Sequence, residues 1–130
     1  MTTELTLLAW SALFCLLLPF PAIGGLLGTS GGVAWGLGNR DRPVGGLAPW
    51  AERARRAHAN MVENLAPFAI VVLIAQVTGR TNGMTALGAE LFFWGRVAHA
   101  IVYIAGLTPW RTLAFAVSEI GTFLIFLQLL

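Results

Sequence analysis

Four apolar stretches dominate this chain, each close to the roughly 20 residues that cross a hydrocarbon core. They are Leu5–Leu27, Met61–Val77, Thr85–Leu107 and Leu113–Leu130. Lipid offers no water to backbone N–H and C=O groups, so only helices and closed barrels span it. Segments this long, without two-residue alternation, predict helices. The expected fold class is all-α: a single integral membrane four-helix bundle over residues 1–130. Charge agrees with this. Charged residues make up 11 % of the chain and hydrophobic ones 57 %, where a soluble domain carries about 25 % charged residues. That leaves too little polar surface for a water-facing shell, so membrane lipid is the first partner expected.

Other classes fall away in turn. The segment before the first stretch, Met1–Glu4, has no Lys or Arg, and the stretch exceeds a signal h-region of about 7–15 residues, so a retained helix is expected. Small four-helix drug/proton exporters depend on an acidic residue in helix one, and Leu5–Leu27 has none. All eight basic residues are arginine and the net charge is only +2. No basic run is interleaved with stacking aromatics, so no nucleic-acid partner is expected. Cys15 is the only cysteine, which excludes an intramolecular disulfide. No metal site is expected.

Pro19 and Pro21 predict a kink in the first helix, and Pro67 one in the second. A glycine-rich loop over 28–50, centred on Asn39-Arg40-Asp41-Arg42-Pro43, joins those two helices. The links around Gly79–Gly83 and Thr108–Arg111 are short, which predicts antiparallel neighbours. Arg40, Arg42, Arg53, Arg55, Arg56 and Arg111 lie on one side of the bundle, against Arg80 and the N-terminal amine on the other. The excess of basic residues on cytoplasmic flanks predicts that the 28–50 loop is cytoplasmic and both termini are outside. A multi-pass protein of the inner or cell membrane is expected.

The informative residues are those that lipid should have excluded, because an intramembrane charge normally faces a partner or a wet cavity. Arg56, Asn60 and Glu63 recur at i, i+4 and i+7, one helix face, and Arg53 extends that stripe. Arg96, His99 and Tyr103 form a second stripe on helix three. Helix four opens with Arg111-Thr112 and holds Glu119 deeper. Two readings stay open here. Pairs such as Arg56 with Glu63, or Arg96 with Glu119, would suit interhelical bridges. The set as a whole suits a small zwitterionic ligand, with arginines clamping carboxylates, Glu63 accepting from an ammonium and Asn60 fixing an amide. Depth in the membrane predicts that Arg96 and Glu119 interact, within a subunit or between subunits. Glu90 receives no role.

The run Glu52-Arg53-Ala54-Arg55-Arg56-Ala57-His58-Ala59-Asn60-Met61-Val62-Glu63-Asn64, followed by Pro67-Phe68, resembles the second-helix signature of MAPEG, the membrane-associated proteins in eicosanoid and glutathione metabolism. Gly95-Arg96-Val97-Ala98-His99, with Tyr103 and an arginine opening helix four, resembles the third-helix signature. The pattern is that of a bacterial-type member. The resemblance implies a homotrimer with sites between subunits near the cytoplasmic surface. It implies glutathione as thiol co-substrate, held by Arg53, Arg56, Asn60, Glu63, His99 and Tyr103. Arg111, with Thr112, would stabilise the thiolate for attack on a lipophilic electrophile or hydroperoxide. The function implied is thus a membrane glutathione transferase or peroxidase, and the alternative is a non-catalytic MAPEG-like protein binding a ligand or partner. Two departures stand out. Arg111 lies one residue closer to Tyr103 than in the prostaglandin synthase branch, and helix one has no arginine. Arg40 or Arg42 is the expected substitute.

Overall fold

A computed structural model describes residues 1–130 and is all-helical: α1 Thr3–Leu17, α2 Pro19–Leu27, α3 Gly32–Leu37, α4 Pro49–Val77, α5 Gly83–Ala105 and α6 Thr108–Leu127. Four helices are long and apolar enough to cross a membrane: Thr3–Leu27 (α1 and α2 together), α4, α5 and α6. The break between α1 and α2 falls at Leu18, where Pro19 enters as the first residue of α2. Proline has no N–H to continue the ladder and crowds the preceding turn, so the ladder is interrupted there, while Leu18 keeps helical dihedrals of φ −62° and ψ −25°. Pro67 lies inside α4 without ending it.

The exterior is apolar. Trp10, Leu16, Phe20, Leu73, Ile101 and Phe123 are all exposed, and only 23 of 130 residues are buried. So few buried residues cannot shield this much apolar surface from water, and lipid supplies the missing cover. The chain is an integral multi-pass membrane protein.

Three expected boundaries shift. The second helix, expected from Met61, begins at Pro49. At about 1.5 Å per residue its 29 residues span roughly 44 Å, against a hydrocarbon core of about 30 Å. The first turns, carrying Glu52, Arg53, Arg55 and Arg56, continue the helix past its apolar run. Ala51, Ala54 and Ala57 hold that extension by burying its inner face. The fourth helix, expected from Leu113, starts at Thr108 with Pro109 in its first turn, so Arg111 and Thr112 lie inside it. The loop expected over 28–50 contains the short helix α3.

Packing is closest between α5 and α6. A Cβ on Gly88 would lie 2.6 Å from the Gly121 carbonyl oxygen and 2.7 Å from Ile125 Cγ1. Glycine there lets the two backbones touch, which is how helices associate where lipid is as apolar as their side chains. Phe68 of α4 stacks on Phe92 of α5 with centroids 3.8 Å apart and rings 7° from parallel. At one end Asn82 caps α5, in a capping box with Thr85. At the other, Gly106 at φ +80° closes it. That left-handed residue permits a link of only Gly106 and Leu107 before α6 begins, and so sets Tyr103 beside Arg111.

Candidate functional site

The tight turn at Gly106 gathers the last turn of α5, the first turn of α6 and the flank of α4. A cavity of about 310 Å³ there is lined by Asn60, His99, Tyr103, Arg111, Thr112 and Phe115. The Arg111 guanidinium carbon lies 4.7 Å from the Tyr103 ring centroid. The stacking holds the charge over an aromatic face and leaves its N–H donors without any protein acceptor. His99 meets Tyr103 edge-on at 5.3 Å. A second cavity of about 240 Å³ shares Tyr103 and Arg111 with the first and adds Arg53, Arg56, Leu107 and Thr108. Three arginines thus border one recess, and no carboxylate lines either cavity. Such a place attracts an anion.

The residues singled out from sequence are only partly brought together. Asn60, His99, Tyr103, Arg111 and Thr112 share the first cavity, while Arg53 and Arg56 border the second. Glu63 lines neither, and is exposed on the outer side of α4. The bridge weighed between Arg56 and Glu63 is absent, since the ion pairs are Arg55–Glu52 and Arg96–Glu119. Arg53 is partly spent on structure. Its Nε donates to the Ile104 carbonyl at 2.9 Å, satisfying one of the acceptors left open at the end of α5. Arg40, weighed as a substitute contact, lines a separate cavity beside α2 and α3. Glu90 is exposed beside Met1, Thr3 and Trp94 at the far end.

Behind the first cavity lies Arg96, 1 % exposed. Its Nη1 donates to Asn60 Oδ1 at 2.6 Å and its Nη2 to Glu119 Oε1 at 3.2 Å. The guanidinium sits between the Phe92 and Phe115 rings, 5.6 and 5.3 Å from their centroids. The predicted Arg96–Glu119 interaction is therefore present within one chain. The contact with Asn60 was not anticipated. Arginine only donates, so it fixes the amide with its oxygen inward and leaves the Nδ2 donors for the cavity. Phe115 was missed as well; it lies one helical turn beyond Arg111, and that spacing is the signal that points to it.

Comparison with known proteins adds an independent line. The sequence model of the MAPEG family matches residues 6–130. Human microsomal glutathione S-transferase 1 is 35 % identical over 86 residues, 65 % of this chain and 56 % of that protein. The bovine microsomal glutathione S-transferase 1 is 40 % identical over 65 residues, 49 % of this chain and 42 % of that one. Horse prostaglandin E synthase is 33 % identical over 70 residues, 53 % and 46 % of the two chains. The matches thus span about half the length of these relatives. No solved structure matches the chain.

Proposed function

Because the chain belongs to the MAPEG family, we propose that it is a membrane glutathione transferase or peroxidase acting on lipophilic electrophiles. The observation that carries this reading is the pair of joined cavities, in which Arg111 is shared and has donors to spare. Glutathione carries two carboxylates, an ammonium and a thiol. Arg53 and Arg56 would take a carboxylate, and the free Nδ2 of Asn60 a carbonyl. Arg111, assisted by Thr112, would face the sulfur. A guanidinium beside a thiol favours the thiolate, which is the nucleophile. With an aryl chloride the thiolate forms the new S–C bond, chloride leaves, and the thiol proton goes to solvent. With a hydroperoxide the thiolate attacks oxygen and the O–O bond breaks; a second glutathione then completes the disulfide, with alcohol and water as products.

Glu63, exposed on α4, has no cation within its own chain, and an unpaired intramembrane carboxylate calls for a partner. Membership of the family supports a homotrimer of antiparallel-neighbour bundles, in which Glu63 would meet the ligand's ammonium at a seam between subunits. In this reading the 28–50 segment is cytoplasmic and both termini are outside.

The test is conjugation of glutathione with 1-chloro-2,4-dinitrobenzene by detergent-purified protein, followed at the conjugate's absorbance. Turnover that saturates in glutathione and is lost in Arg111→Leu is expected. Saturable glutathione binding without turnover, towards this acceptor and cumene hydroperoxide alike, would replace the enzyme with a binding protein.

A further inference from the structure

On the opposite flank of α4 from Asn60 lies another cavity, of about 220 Å³, outside the thiol site. Its floor comes from the membrane-embedded α2 through Pro19, Ala22, Ile23 and Leu26, and from Val44 and Leu47 of the following segment. Its rim carries Arg40, Arg55 and His58, and no acidic side chain lines it. The volume lies below the roughly 300 Å³ at which pockets for drug-sized molecules begin. It holds part of an acyl chain, the remainder of which would continue along α2 into the bilayer.

The cationic rim is built rather than incidental. Arg40 stands at φ +59°, a left-handed conformation that non-glycine residues seldom adopt. Its guanidinium lies 5.3 Å from the Trp35 ring centroid, and Nη2 donates to the Gly36 carbonyl at 3.2 Å. The Trp35 indole in turn donates to the Arg42 carbonyl. Backbone, stacking and hydrogen bond therefore hold Arg40 at the mouth of the cavity, and no carboxylate neutralises it. Arg55 spends one nitrogen on Glu52 at 3.0 Å, and a guanidinium has five N–H donors.

We propose that this cavity binds an anionic amphiphile, with an acyl chain along the floor of α2 and a carboxylate or phosphate head at Arg40 and Arg55. An apolar floor continuous with a transmembrane helix and a basic rim at its polar end match both halves of such a molecule. Two sources share that chemistry, an anionic phospholipid of the bilayer and a free fatty acid.

The experiment uses delipidated full-length protein in a nonionic detergent, titrated with cis-parinaric acid, a straight-chain fluorescent polyene fatty acid, and followed by probe fluorescence. Saturable binding is expected. Arg40→Gln, Arg55→Gln and the cavity-filling Ala22→Phe should each raise the Kd about tenfold, the loss of one charge-assisted hydrogen bond for the arginines. Thermal unfolding shows whether Ala22→Phe folds; if it does not, the two rim variants decide. Competition then separates the sources. Displacement by dioleoylphosphatidylglycerol alone assigns a bilayer lipid, and displacement by oleate assigns a fatty acid. Wild-type Kd values in both rim variants, displacement by neither anion, or equal displacement by oleylamine would overturn the proposal. Glutathione binding should be unchanged in Arg55→Gln and Ala22→Phe, since neither residue lines the Tyr103–Arg111 cavities. The two readings can therefore fail separately.

Discussion

The two ends of the bundle handle polar residues in opposite ways. At the Asn82 end, Thr85 donates its hydroxyl to Glu4, a carboxylate only 3 % exposed. Thr2 donates to Gln76 at 3.0 Å, Asn82 to Gln128 at 3.1 Å and Arg80 to the Leu129 carbonyl at 2.6 Å. Each contact ties one element to another. At the Gly106 end, Arg56 and Arg111 have no protein acceptor and border cavities. Both ends contain arginine: Arg80 is spent on the fold and Arg53 partly so, whereas Arg56 and Arg111 keep their donors free. Arg56 is exposed and Arg111 half-buried, so neither needs a protein partner, and their free donors make this the end that attracts an anion. Arg96 stands between, bound to Asn60 on the cavity side and to Glu119 on the other.

The sharpest way to test that division is to break its boundary. Arg96→Leu or Glu119→Leu alone should cost about 3–5 kcal/mol, because removing one partner strands the other charge. The double variant should recover much of the loss. Thermal unfolding in detergent reads both, and strictly additive losses would show that the pair does not couple.

Next comes a variant expected to change chemistry without changing stability. Arg111→Leu should lower conjugation turnover about 10²–10³-fold, the usual cost of removing one group that stabilises developing charge. The midpoint of unfolding should barely move, since Arg111 makes no ion pair. A large drop in that midpoint would place Arg111 among the structural arginines.

The two ends can then be set against each other directly. Arg56→Ala should weaken glutathione binding by about 1.5–3 kcal/mol, the range for a hydrogen bond to a charged group. Arg80→Ala should leave it unchanged. Equal effects in calorimetric titrations would erase the contrast.

The smallest effect belongs to the closed end. Thr85→Val keeps the side-chain shape but leaves the Glu4 carboxylate without its donor, a loss of about 1–3 kcal/mol in stability. Glutathione affinity and turnover should match the wild type. A change in either would mean that the ends communicate.

Sequence alone determined the four spans, because runs of apolar residues near membrane length admit no other solution in lipid. It also determined the helix break before Pro19 and the kinship carried by the Arg56–Asn60–Glu63 and Arg96–His99–Tyr103 spacings. Depth sufficed to pair Arg96 with Glu119, since a lone charge there has few alternatives. Helix ends were less legible. Hydropathy marks where lipid stops, whereas α4 continues through Glu52, Arg53, Arg55 and Arg56 because a helix also satisfies its backbone in water. Only the tertiary structure decided how one stripe is divided: Arg56 to one cavity, Asn60 to another against Arg96, and Glu63 to the outside. A period of 3.6 residues says which side chains share a face. Which neighbour that face meets depends on how the helices cross, and here the Gly106 turn and the close approach of Gly88 to Gly121 decide it.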